Sequence, residues 1–191
     1  MSAERIHELE VELRRLQGMV FQDELTGMLN RRGFVDRVDQ IFQFIRQHHD
    51  QERRHGVRIP FSVIFIDLDN FKQINDEHGH GTGDAALKHV AQVFGRTVRQ
   101  GDVIARFGGE EFVVALHAVT GDDAEHVAEK IRLALESSPC VHEELVLPLT
   151  ASFGVAEYRV GDDTLEQLIT RADEAMYQAK QAGKNRVVVA S

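Results

Sequence analysis

The chain has 191 residues, 42% of them apolar, which is enough for one well-buried domain with an appendage. Its 22 Lys and Arg against 31 Asp and Glu leave a net charge of −9, which argues against a broad interface with DNA or RNA but not against a small basic pocket. The single cysteine, Cys140, allows no intrachain disulfide, and no apolar run approaches the ~18 residues of a membrane span, so a cytoplasmic chain without membrane contact of its own is expected.

From Ala3 to Val20, the apolar residues Ile6, Leu9, Leu13, Leu16 and Val20 alternate spacings of three and four, the seam of a coiled coil. Fewer than three heptads make a weak coiled coil, so the segment reads as a short dimerising stalk or as a helix packed on the domain; the stalk is the favoured reading. A boundary is expected at residue 22, giving a helix over 1–22 and a domain over 23–191. Asp23-Glu24-Leu25-Thr26-Gly27 is turn chemistry. A helix is predicted from about Asn30, burying Phe34, Val38, Ile41, Phe42 and Ile45 and fading into a polar surface loop over His48 to Gly56. The three histidines of that loop have no compact metal-ligand spacing.

Phe61 to Leu68 is a continuous β-branched and aromatic run, the mark of a central strand buried on both faces. It ends in Asp67-Leu68-Asp69. A carboxylate there either caps the next turn or awaits a cation, because burying it alone is costly. The glycine-rich His78 to Asp84 stretch is no dinucleotide fingerprint, since its spacing is G-x-G-x-G and no strand directly precedes it. Thr82 to Val98 is predicted helical. Val103 to Phe107 and Phe112 to Leu116 read as strands joined by a tight hairpin at Gly108-Gly109, with positive φ at the glycines. Glu110 and Glu111 then sit at its tip, either solvated or offering hard oxygens to a divalent cation, with Asp67 and Glu110 on neighbouring strands. A helix over Asp122 to Ser137, one or two strands within Leu145 to Ala156, a helix over Leu165 to Ala182 and a closing strand over Arg186 to Val189 complete the chain. The alternation predicts an α/β (α+β) sandwich, a mainly antiparallel sheet flanked by helices.

Five stretches taken together resemble the GGDEF family of diguanylate cyclases: Asp23 to Arg32 (DELTGMLNRR), Asp67 to Asp84 (DLDNFKQINDEHGHGTGD), Arg106 to Phe112 (RFGGEEF), Thr150 to Ala156 (TASFGVA) and Ala172 to Arg186 (ADEAMYQAKQAGKNR). The resemblance implies a palm-like fold similar to class III nucleotide cyclases and the condensation of two GTP to cyclic di-GMP with release of pyrophosphate, in a homodimer holding one GTP per subunit. It implies two Mg2+ or Mn2+ ions per active site, held by Asp67, Glu110 and the Leu68 carbonyl, with Glu110 also accepting the proton and Glu111 as second ligand or electrostatic support. Lys72 would meet the triphosphate, Asn70 and Phe71 would offer it backbone N–H groups, and Asn75 and Asp84 would read guanine. Lys180 and Lys184, four apart and expected on one face of the last helix, would reach the same phosphates; without the resemblance they are solvated lysines. Arg99 and Asp102, with Lys130 as a further cation, match the family's inhibitory site for cyclic di-GMP, although R-x-x-D is otherwise an ordinary surface ion pair.

Two alternatives remain at this stage. One is a catalytically silent module that binds GTP or cyclic di-GMP as a signal. The other is a class III-like mononucleotide cyclase or polymerase palm, disfavoured by the guanine-reading pair and the lack of a basic template surface.

Overall fold

The computed structural model describes residues 20–55, 59–159 and 164–191. The heptad stretch up to Met19, and with it all but the last three residues of the expected 1–22 helix, lies outside the described residues. Helix α1 (Arg31–His55) is capped by Asn30, whose Oδ1 accepts from the Gly33 N–H at 2.9 Å. It buries Phe34, Val38, Phe42 and Ile45, whereas Ile41 is only partly covered. The polar run expected to be a loop continues this helix to His55. No Gly or Pro interrupts it before Gly56, and Gln, Glu and Arg are good helix formers.

Strand β1 (Phe61–Leu68) is buried along its whole length, as predicted. After it come α2 (Phe71–His78), α3 (His80–Thr97), β2 (Val103–Arg106), β3 (Glu111–His117), α4 (Gly121–Glu136), β4 (Cys140–His142), β5 (Leu145–Leu147), β6 (Ala151–Glu157), α5 (Leu165–Gln181) and β7 (Val187–Val189). The main sheet has five strands in the order β2-β3-β1-β6-β7, antiparallel except for the β6–β7 pair. Successive β1 side chains feed two cores, as a period of two requires. Ile64, Ile66 and Leu68 pack with Phe94 of α3 and Ile131 of α4. Phe61, Val63 and Phe65 pack with Phe34 and Phe42 of α1 and Leu168 and Met176 of α5. Each such side chain, fully buried, contributes roughly 1.5–3 kcal/mol. Among the described residues no helix is long and apolar enough to cross a membrane.

Two elements were not expected. Helix α2 is short and polar, burying only Phe71, so it carries almost no apolar periodicity. Gly79, at φ 81°, separates it from α3, which starts two residues before the predicted Thr82. Strand β5 is one of the strands expected within Leu145 to Ala156, but its partner β4 was not expected, and the two form a separate hairpin around Glu143-Glu144. Glu143 takes φ 54° there, a conformation usually left to Gly or Asn, so the turn has no sequence signal.

Candidate active site

The loop joining β2 to β3 carries Glu110 and leads into Glu111, the first residue of β3, but its geometry differs from the predicted tight turn. Neither Gly108 nor Gly109 has positive φ. The Phe107 and Gly108 N–H groups both donate to the Glu111 carbonyl, at 2.7 and 3.4 Å, closing a wider loop. At Gly108 a Cβ would meet the tip of the Glu111 carboxylate, which folds back over the glycine and would have to swing aside. Phe107 anchors the loop, its ring edge-on to Phe34 and Phe65 at 5.9 and 5.7 Å and covered by the Arg31 guanidinium at 4.9 Å.

Arg106 ties this loop to the Asp23 turn. Its Nε and Nη2 donate to the Gly109 carbonyl at 3.0 and 2.7 Å, and Nη1 reaches both Asp23 carboxylate oxygens at 3.1 and 3.0 Å. Burial pushes the Asp23 carboxyl up, but the Thr26 hydroxyl and N–H, at 2.6 and 2.9 Å, together with Arg106 hold it below its ordinary value. A depressed folded-state value means stability that is present above the unfolded value near ~3.9 and lost as pH falls through the folded one. Asp23→Asn should therefore cost about 1 kcal/mol in urea unfolding at pH 7, and the cost should shrink progressively as pH falls below ~3.9.

Asp67 lies opposite Glu111 on β3 and Ser152 on β6, so Glu111 rather than Glu110 is its cross-strand partner. Glu110 sits one residue before β3 and accepts the Leu68 N–H at its carbonyl, 3.3 Å away. All three carboxyl groups are raised, burial being the largest cause in each. Asp67 is pushed up by burial, opposed by Lys180 and reinforced by Asp69 and Asp173; Glu110 by burial and then Asp67; Glu111 by burial, then Asp67, Asp173 and Glu110. Asp173 on α5 is itself raised, by burial and by Glu174. It joins this cluster although it was not among the predicted residues. The available signal was its place two helical turns before Lys180.

The Lys180 ammonium lies 2.6 Å from Asp67 Oδ1. That oxygen is buried with no donor in hydrogen-bond alignment, so the contact compensates its charge without satisfying its directional need. Among the described residues no group of three or more His, Cys, Asp or Glu forms a ready-made metal cage. Magnesium seldom uses one: it takes one or two carboxylates and completes its shell with water and substrate phosphate. Asp67 and the neighbouring glutamates suit that role. Asp69 does not, because its oxygens are already engaged by the Ser152 and Thr150 hydroxyls and the Asn185 N–H at 2.7, 2.9 and 3.0 Å. It is a structural pin between β1 and the end of the chain.

Asn70 adopts φ 59° and opens α2, whose first turn presents backbone N–H groups as any helix start does. Lys72 and Asp84 are exposed, and Asn75 is half-buried. Asn75 packs over Gly83, where a Cβ would collide with its Oδ1; the glycine inside the first turn of α3 lets the two helices close around this side chain. Lys184 is not on the last helix. The helix ends at Gln181; the Gly183 and Lys184 N–H groups turn back to the Lys180 and Ala179 carbonyls at 3.3 and 3.1 Å, and Gly183 takes φ 115°. Lys184 still reaches the site, because this left-handed turn directs its ammonium onto Asn70 Oδ1. A cleft of about 640 Å³ opens beside Glu111, lined by Arg31, Phe107 and Asp173 among others; Asp67, Asn70, Lys72, Asn75, Asp84, Glu110 and Lys180 do not line it.

Away from this cluster, Arg99 Nε contacts both Asp102 oxygens at 3.0 and 3.1 Å and its Nη2 donates to the His117 carbonyl. Lys130 on α4 reaches the Thr97 carbonyl at 3.4 Å, close to the same turn.

A central antiparallel pair ending in carboxylates, beside a helix start and between helical layers, is the palm-like arrangement of nucleotide cyclases. The profile of the diguanylate cyclase GGDEF domain matches residues 20–186, and the chain belongs to that family. It is 39% identical over 168 residues to the diguanylate cyclase DgcP of Pseudomonas aeruginosa, covering 88% of this chain and 24% of that one. Among solved structures it resembles the coiled coil and GGDEF domain of DgcB from Caulobacter crescentus in complex with c-di-GMP, with a TM-score of 0.82 and 28% identity over 98% and 94% of the two chains. It also resembles the diguanylate cyclase SiaD of Pseudomonas aeruginosa in complex with its activator SiaC, with a TM-score of 0.78 and 33% identity over 98% and 69%. The chain spans about a quarter to a third of the length of the curated relatives it matches.

Proposed function

We propose that the chain condenses two GTP into cyclic di-GMP and two pyrophosphates, as a pair of copies each holding one GTP. The observation that carries this reading is the convergence of Asp67, Glu110, Glu111 and Lys180 beside the α2 start, in a member of this family. Asn70 and Phe71 offer N–H groups to the triphosphate, and Lys72, Lys180 and Lys184 spread positive charge around it. Asn75 and Asp84 select guanine, the carboxylate accepting from N1–H and N2–H₂, donors that adenine lacks. Asp67, Glu110 and the Leu68 carbonyl would hold two Mg2+ or Mn2+ ions, which when bound lower the pKa of the attacking 3′-hydroxyl and neutralise the departing pyrophosphate. Glu110 accepts the hydroxyl proton. The P–O bond to pyrophosphate breaks as the 3′-oxygen bonds the α-phosphorus, and the second copy repeats the step in the other direction.

Residues 1–22 serve as the dimerising helix and 23–191 as the catalytic domain of a cytoplasmic signalling protein, since raising the local concentration of one site at the other favours the paired state. Arg99, Asp102 and Lys130 bind the product as an inhibitor. Arg99→Ala should raise the inhibition constant for cyclic di-GMP at least about tenfold, because a bidentate contact is lost, and should also lower the melting temperature, because it leaves an Asp102 side chain only 3% exposed without its guanidinium partner. The reading is tested by incubating the purified chain with GTP and Mg2+. It predicts cyclic di-GMP, identified by mass and chromatographic mobility; unchanged GTP recovered from a protein that binds it would instead mark a silent signalling module.

A further inference from the structure

We infer that Lys180 guards the metal site, holding Asp67 in the ligand-free protein and releasing it only when a triphosphate arrives to take the ammonium. The inference rests on the reading of Asp67 as a metal ligand.

Lys180 Nζ and Asp67 Oδ1 are 2.6 Å apart, with the carboxylate side chain 11% exposed and the lysine 28%. A divalent ion of the magnesium kind takes a carboxylate oxygen at about 2.1 Å, and an ammonium already in contact with the Asp67 carboxylate repels the incoming ion and competes with it for that group. The second proposed phosphate lysine is parked in the same way, its ammonium on Asn70 Oδ1 at the α2 start. Both lysines therefore rest on acceptors of the β1–α2 segment. Their backbone has little freedom to follow them out: the Gly183 and Lys184 N–H groups close the end of α5, and the Asn185 N–H is pinned to Asp69. Release is then a side-chain swing of a flexible four-carbon stem, and Lys180 has solvent on one side into which to move.

The exchange is balanced only if metal and nucleotide enter together. Free metal must displace the ammonium and leave it without a counter-ion beside the new cation. Metal carried on a triphosphate brings the anion that accepts the ammonium, so each binding event lowers the cost of the other. Without ligands, Lys180 also offsets part of the repulsion that Asp67 and Asp173 exert on Glu111.

The test is Mn2+ binding to the nucleotide-free chain, read as loss of the free-ion signal in electron paramagnetic resonance. Lys180→Met should bind Mn2+ at least about tenfold more tightly than the wild type, and Lys184→Met, which removes the same charge from Asn70, should change it by less than about threefold. Lys180→Gln, with an unchanged circular dichroism spectrum, should repeat the Lys180→Met result, since damage to the fold would not tighten a metal. Asp67→Asn should lose binding. If Asp67→Asn loses Mn2+ while the Lys180 variants bind it no better than the wild type, the lysine is no guard and the metal assignment stands. Equal gains from Lys180→Met and Lys184→Met would reduce the effect to general charge and also overturn the inference. If Asp67→Asn binds as the wild type does, the metal assignment itself fails.

Discussion

Glu110→Gln is expected to lower the rate of GTP condensation by about 10³-fold while leaving the fold intact. The substitution keeps shape and one acceptor oxygen and removes the charge and the base. The backbone contact that sets the loop, the Glu110 carbonyl accepting from Leu68, is untouched. Stability should move the other way. Burial and Asp67 raise the Glu110 carboxyl in the folded protein, so its ionised form opposes folding above that raised value. The metal-free variant should accordingly melt at or slightly above the wild-type temperature near pH ~8, and the gap should close as pH falls below the unfolded value near ~4.3. Steady-state rates and thermal melts across pH check both halves. A variant retaining a tenth of wild-type activity would remove Glu110 from the chemistry.

Gly154→Ala is expected to cost about 3 kcal/mol or more, at the upper end of overpacking effects, and to leave little soluble protein. Gly154 lies on β6 opposite Phe65, where α5 packs directly on the sheet. A Cβ there would overlap the Ala172 carbonyl and the Met176 nitrogen and come within 2.9 Å of the Ala175 carbonyl carbon. These are backbone atoms of one helix, so relief requires moving α5 bodily, and with it Asp173 and Lys180. The buried Ala172, Ala175 and Ala179 mark the same close approach from the helix side. Gly95 on α3 is the contrast. A Cβ there meets nothing within 4 Å, so Gly95→Ala should gain up to about 1 kcal/mol from helix propensity alone. Urea unfolding of the two variants separates packing from propensity.

The parts of this fold legible from sequence are those with strong periodicity or strong composition. The β1 run places its strand and both cores, and the Phe34 to Ile45 pattern selects the buried face of α1. The site residues were legible as motifs, because Asp67, Glu110, Glu111 and Lys180 sit in recognisable stretches and the fold brings them to one end of the sheet. What stayed hidden depends on geometry that residue type does not encode. Glu143 takes a left-handed turn without Gly or Asn, so β4 and its hairpin pairing with β5 escaped. Helix α2 has one buried residue and no stripe to detect. Gly108 lies under the folded-back Glu111 carboxylate rather than taking a positive φ, and Gly183 turns Lys184 off the helix while still aiming it at the site. Asp69 resembled Asp67 in sequence, and only the hydroxyls of Thr150 and Ser152 make it structural.

The central claim is that two copies each deliver one GTP, activated beside their own Asp67 and Glu110, to the other. Its most direct measurement is the rate of cyclic di-GMP formation per chain as the protein is diluted through the dimer–monomer range, with pyrophosphate counted alongside. The account predicts a rate per chain that falls in proportion to the remaining dimer, with two pyrophosphates for every cyclic di-GMP at all concentrations. A constant rate per chain in a protein shown by light scattering to be monomeric would contradict it.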